Sequence, residues 1–226
     1  MNHHLARMDN KTSSHKSDFF IALYFFCLVS AELLGAKTFP IVNIFGYQLN
    51  GAVGMLLIPF IYSINDIFFE VYGRKRARNL ARISIIIVTL LTIFVVIAVS
   101  LPSSKRFAPL ESSYNTIFTQ SIRISIASLI ALGSSNLLDV VIFSRLKERY
   151  KNTGLWFRNN LSNLTALLID TVVFMSFAFY SFDQSFAENF SFLFGLILPY
   201  WLLKSTVSAF GTPLVYMGVK WLRKAD

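Results

Sequence analysis

Six runs of apolar residues, punctuated by clusters of lysine and arginine, constrain this chain more than any other feature. A helix crossing ~30 Å of hydrocarbon needs roughly 20 predominantly apolar residues. The runs fall at residues 19–36, 51–64, 80–101, 117–143, 161–182 and 190–219. The second is the shortest and reaches spanning length only by continuing through Asn65, Asp66 and Glu70. With 54% hydrophobic and 15% charged residues, the composition leaves the range of soluble globular domains in the direction of a membrane bundle. The expected fold is an all-α integral membrane protein of about six transmembrane helices. Residues 1–17 read as a polar cytoplasmic tail, and residues 18–226 as a single transmembrane helical domain. The apolar run after the tail is too long, and lacks the closing small-residue site, for a cleaved signal peptide.

The basic residues orient the bundle, because Lys and Arg accumulate in cytoplasmic connections. Arg7, Lys11 and Lys16 lie in the tail, and Arg74, Lys75, Arg76, Arg78 and Arg82 follow the second span. Arg145, Lys147, Arg149, Lys151 and Arg158 follow the fourth, and Lys220, Arg223 and Lys224 close the chain. Only Lys105 and Arg106 occupy the connections on the opposite side. Both termini are therefore expected in the cytoplasm, which requires an even number of spans. The same distribution accounts for the net charge of +9 without nucleic acid as a partner, since the bases flank spans instead of lining one exposed face.

Enzymatic chemistry finds little support. Cys27 stands alone, and the three histidines, His3, His4 and His15, all lie in the tail. No metalloprotease helix motif, nucleophile elbow or phosphate-binding glycine loop is present. No cofactor or metal is expected.

The informative residues are charges within the apolar runs. Glu32, Asp66, Glu70, Asp139 and Asp170 lie within or at the ends of spans, with Lys37, Arg123 and Lys204 as the bases there. An ionisable group at mid-membrane costs roughly 2.5–3.5 kcal/mol on insertion scales, so it faces a protein interior or wet cavity and has a partner. Residues three, four and seven apart share a helix face. Ser63, Asp66 and Glu70 align in this way, as do Ser128, Ser135 and Asp139; Asn163, Asp170 and Phe174; and Tyr200, Lys204 and Ser208. One polar interior serving a small polar solute is the expectation. A packing ion pair between Asp170 and Lys204 is the structural alternative, and Arg123 is expected to snorkel outward.

The run Asn65-Asp66-Ile67-Phe68-Phe69-Glu70-Val71-Tyr72-Gly73-Arg74-Lys75-Arg76-Ala77-Arg78 resembles the signature of the queuosine precursor transporter family. Further blocks follow in the family's order: Ala31 to Lys37, Leu138-Asp139 through Arg145-Leu146, Trp156 to Asn160 before Asp170-Thr171, and Lys204 with Pro213. The resemblance implies a multi-pass protein of the bacterial inner membrane importing 7-deazaguanine bases (preQ0, preQ1 or queuine) for queuosine in tRNA. It also implies a fold similar to the substrate-binding components of energy-coupling-factor transporters, so a coupling module and a homodimer are the macromolecular partners to consider. Many members have Asn where this chain has Glu32, a departure that points to a subgroup of different substrate preference.

A deazaguanine presents adjacent ring N–H and amino donors that one carboxylate accepts together, and an O6 that requires a donor. Asp170, Glu70 or Asp139 fits the first role, and Asn163 or Lys204 the second. Asn65, Asp66 and Glu32 complete the candidate set for substrate binding or proton coupling. Recognition of another vitamin-like solute, or a non-transporting structural subunit, are the rival readings.

Overall fold

The computed structural model of the chain describes residues 2–149, 155–210 and 212–223; for 2–14, 133–149, 155–160, 162, 163, 209, 210, 212, 214 and 223 it describes the backbone alone. Among the described residues, the order is α1 (Asn2–Leu34), β1 (Thr38–Ile44), β2 (Tyr47–Ala52), a 3₁₀ turn (Val53–Leu57), α2 (Ile58–Ser100), α3 (Ala108–Arg149), α4 (Leu155–Phe179), α5 (Phe186–Phe210) and α6 (Thr212–Arg223). The apolar runs become helices because a chain in hydrocarbon must satisfy its backbone N–H and C=O groups internally. Among the described residues, His15–Leu34, Val53–Ser100 and Phe186–Ser208 are long and apolar enough to cross a membrane, and Leu164–Phe179 is a shorter apolar helix. Outward-facing Phe26, Leu90, Phe94 and Phe190 are more than half exposed, as lipid-facing positions require. The chain is a helical membrane protein.

The second run does continue through Asn65, Asp66 and Glu70, because α2 starts at Ile58 and stays helical to Tyr72. At Gly73 the backbone leaves helical geometry, with φ 78° and ψ 172°. The segments on either side cannot be collinear. Ile64, Phe68 and Leu80 share a buried cluster with Tyr24 of α1, and Ser84 Oγ donates to the Tyr24 hydroxyl at 3.1 Å. In a straight helix Ile64 and Ser84 would stand ~30 Å apart at 1.5 Å per residue, so the chain folds back at Gly73. Such φ, ψ values are essentially restricted to glycine and cost other residues about 1–3 kcal/mol. Gly73→Ala is expected to lose an amount in that range, read as earlier thermal unfolding in detergent, even though a Cβ there would meet nothing within 4 Å.

Residues 38–52 depart from the all-α expectation. β1 and β2 pair antiparallel with Thr38 opposite Ala52 and Ile44 opposite Tyr47. Phe45 (φ 51°) and Gly46 (φ 85°) form the two-residue turn; two positive φ values are what a right-twisted hairpin demands of so short a loop. The register shifts between Pro40 and Val42, where a proline without an N–H cannot continue the ladder. The hairpin lies against α5: a Cβ on Gly195 would stand 2.5 Å from the Gln48 carbonyl oxygen. The main buried cluster joins the hairpin's end to the bundle through Ala52, Ile58 of α2, Met175 of α4, and Leu193, Leu196 and Tyr200 of α5.

Polar side chains tie the helices around this core. Ser121 Oγ donates to the Leu33 carbonyl at 2.9 Å, linking α3 to α1, and Trp201 Nε1 donates to the Leu164 carbonyl at 3.1 Å, linking α5 to α4. Arg123 is half-buried at the end of α4, its Nε donating to the Phe177 carbonyl at 2.8 Å and its guanidinium also reaching the Tyr180 carbonyl. A cation at the carbonyl end of α4 is stabilised there by the helix dipole.

Candidate transport cavity

Five helices and the end of the hairpin line a cavity of about 180 Å³. α1 contributes Glu32 and Gly35, α2 Ile58 and Tyr62, α3 Ile124 and Ser128, α4 Asp170 and Phe174, and α5 Tyr200 and Lys204, with Ala52 and Gly54 between hairpin and α2. Gly54 brings the chain against α1, a Cβ there standing 3.3 Å from the Ala31 carbonyl oxygen. An apolar cavity of ~150 Å³ admits benzene, so this one has room for a single planar ring system.

The walls differ in character. On the α4/α5 wall, Lys204 Nζ donates to Asp170 Oδ2 at 2.8 Å, with the lysine side chain 9% and the aspartate side chain 22% exposed. The ammonium also lies 5.7 Å from the centre of the Tyr200 ring, a cation–π distance. The rings of Phe174 and Tyr200 stand 6.3 Å apart and 32° from parallel. On the α1/α3 wall, Glu32 is 4% exposed. Ser125 and Ser128 present hydroxyls to its carboxyl group, yet Oε2 has no hydrogen-bond partner.

The structure therefore brings together three of the candidate site residues named from the sequence, Glu32, Asp170 and Lys204, with Ser128, Phe174 and Tyr200 of the same helical stripes. Asp66 and Glu70 go elsewhere: both are exposed and line a second cavity of about 350 Å³ with Val207 and Ser208 of α5 and Val215 and Tyr216 of α6. Asn65 is exposed one position along α2. The side chains of Asp139 and Asn163 lie outside the described residues. Tyr62 and Ser125 were not singled out from the sequence. Ser125 lies one turn before Ser128 on α3, and that spacing was the available signal; Tyr62 carries none that separates it from a packing aromatic.

Comparison with known proteins decides between transport and a purely structural role. Residues 52–218 match the model of the family described as "Putative vitamin uptake transporter". A "Probable queuosine precursor transporter" of Bacillus subtilis (strain 168) is 30% identical over 87% of this chain and 82% of its own length. The chain belongs to the queuosine precursor transporter family. A "Probable queuosine precursor transporter" of Haemophilus influenzae is 31% identical over 76% of this chain and 68% of its own length. The "Queuosine precursor transporter" of Escherichia coli (strain K12) is 24% identical over 78% and 75% respectively. No solved structure matches the chain. Membership makes the protein a membrane transporter and not an enzyme, and the matched segment contains Tyr62, Asp170, Tyr200 and Lys204 of the cavity.

Proposed function

We propose that the chain imports 7-deazaguanine queuosine precursors across a bacterial inner membrane, with six spans, both termini in the cytoplasm, and the cavity at Asp170 and Lys204 as the substrate site. The observation that carries this reading is the ion pair. The recognition edge of a deazaguanine runs acceptor, donor, donor through O6, ring N–H and exocyclic amino group. The pair offers a donor at Lys204 Nζ beside an acceptor carboxylate at Asp170, so ammonium to O6 and carboxylate to the two N–H groups form one continuous charge-assisted match. Phe174, Tyr200 and Tyr62 supply the aromatic walls that a flat ring requires.

Six passes are supported by the fold-back at Gly73, which lets α2 supply two of them, and by the basic residues that cluster beside it. Asp66 and Glu70, in the second cavity near that cluster, stand where a substrate would pass toward the cytoplasm. The names of the relatives support the substrate class.

The test uses a bacterium that lacks both queuosine synthesis and precursor import, retains the downstream tRNA-modifying enzymes, and expresses this chain with preQ0, preQ1 or queuine supplied at nanomolar levels. Queuosine is expected to reappear in tRNA with at least one of the three. Its absence with each base, when the protein is folded and inserted in the membrane, would contradict the proposal.

A further inference from the structure

Resting on the deazaguanine reading of the cavity, we propose that Glu32 is a cation subsite: it receives a primary ammonium carried by the substrate's 7-substituent, and so makes the protein select bases with a cationic substituent over neutral ones of similar size.

The argument begins with charge inside the cavity. Its described lining residues include two carboxylates, Glu32 and Asp170, and one ammonium, Lys204. Lys204 is committed to Asp170 at 2.8 Å. Arg123, the next cation on the helices around Glu32, is committed to the carbonyls of Phe177 and Tyr180. Lys37 is exposed just beyond α1 and does not line the cavity. Glu32 thus lies 4% exposed with Oε2 unpartnered, so its carboxylate form finds no counter-ion among the described lining residues and would be stabilised only by a cation brought in from outside. The two serine hydroxyls beside it offer dipoles but no charge.

A neutral ring bound at Asp170 and Lys204 leaves that imbalance in place. A ligand with one positive charge removes it. Geometry agrees with the charge count, because Glu32 and Asp170 project from different walls, α1 and α4. A base held by its O6 and N–H edge on the α4/α5 wall directs its five-membered ring, and the substituent on it, away from that wall. A small side chain at position 32 would leave the substituent among Leu28, Ala31 and Ile124, an apolar setting that suits a neutral group. Glu32 converts it into a site for an amine.

The experiment compares binding of 7-aminomethyl-7-deazaguanine and 7-cyano-7-deazaguanine to the purified full chain in detergent, for the wild type and for Glu32→Gln. Losing one partner of a buried charge pair corresponds to a drop of about 30-fold or more. The wild type is expected to prefer the aminomethyl base by at least about tenfold, and Glu32→Gln to lose about 30-fold in affinity for it while holding the cyano base within about threefold. The retained cyano affinity shows that the variant is folded. Glu32→Asp, which keeps the charge, should retain the preference in weakened form. Equal wild-type affinity for the two bases, or an equal loss of both in Glu32→Gln, overturns the cation subsite and leaves the deazaguanine reading standing. A wild type that binds neither base overturns both.

Discussion

Lys204→Met is expected to unfold well before the wild type and to abolish uptake. The substitution leaves the Asp170 carboxylate, 22% exposed in the native pair, without its counter-ion in the interior of the bundle. Removing one partner of a buried pair costs about 3–5 kcal/mol, and the residual access of Asp170 to solvent places the expected loss toward the lower figure. Asp170→Asn should be comparably damaging, because it leaves an ammonium that is 9% exposed, beside the Tyr200 ring, without its counter-ion. The double variant Asp170→Asn/Lys204→Gln separates packing from recognition. Neutral amides of similar volume restore hydrogen bonding without charge, so thermal stability should return to within about 1 kcal/mol of the wild type. Uptake should stay low, because an amide pair no longer offers charge-assisted contacts to O6 and the N–H edge. A double variant that recovers both stability and uptake would reduce the ion pair to a packing device.

Gly195→Ala is the second large effect, expected to cost about 2–3 kcal/mol by overpacking. The new methyl would stand 2.5 Å from the Gln48 carbonyl oxygen. That oxygen belongs to the backbone of β2, so relief requires α5 and the hairpin to separate. Pro199 adds to the strictness, since a proline inside α5 already removes the hydrogen bond that the Gly195 carbonyl would accept four residues on. Ala52 and Tyr200 share the buried cluster at this contact and both line the cavity, so uptake should fall with stability. Gly218→Ala is the contrasting case. Its methyl would meet the end of the Ile67 side chain, but an aliphatic side chain can rotate where a strand cannot, and a loss of about 1 kcal/mol is expected. Thermal unfolding of the two variants side by side measures the difference.

These positions also mark the boundary of what the sequence discloses. Hydropathy located the apolar runs because the hydrocarbon thickness imposes a length on every span, and the continuation of the second run through Asp66 and Glu70 followed from the same requirement. The hairpin at 38–52 was missed because its strands, Thr-Phe-Pro-Ile-Val-Asn-Ile and Tyr-Gln-Leu-Asn-Gly-Ala, are short and join apolar helices at either end. Phe45-Gly46 was the turn signal, and it is weak without an Asn or Asp in the first position. The turn at Gly73 was expected as a connection between spans; its compression to one residue was not, because a single glycine in a basic run does not reveal its φ. Asp170 and Lys204 were legible as a pair, being intramembrane charges of opposite sign that required partners. The separation of Glu32 from Asp66 and Glu70 was not. Helical spacing places residues on a face, but which faces meet is decided by close approaches such as Gly54 on Ala31 and Gly195 on Gln48, which depend on packing far away in sequence.

The central proposal is that this chain binds a deazaguanine in the cavity at Asp170 and Lys204 and passes it across a bilayer. Counterflow tests it most directly: purified protein in liposomes preloaded with unlabelled base, diluted into trace labelled base, accumulates label by exchange whatever the energy source. The wild type is expected to show accumulation that excess guanine-type base outside suppresses, and Asp170→Asn/Lys204→Gln to show little above empty liposomes. No exchange by folded, reconstituted wild type, or undiminished exchange by the double variant, would contradict the account.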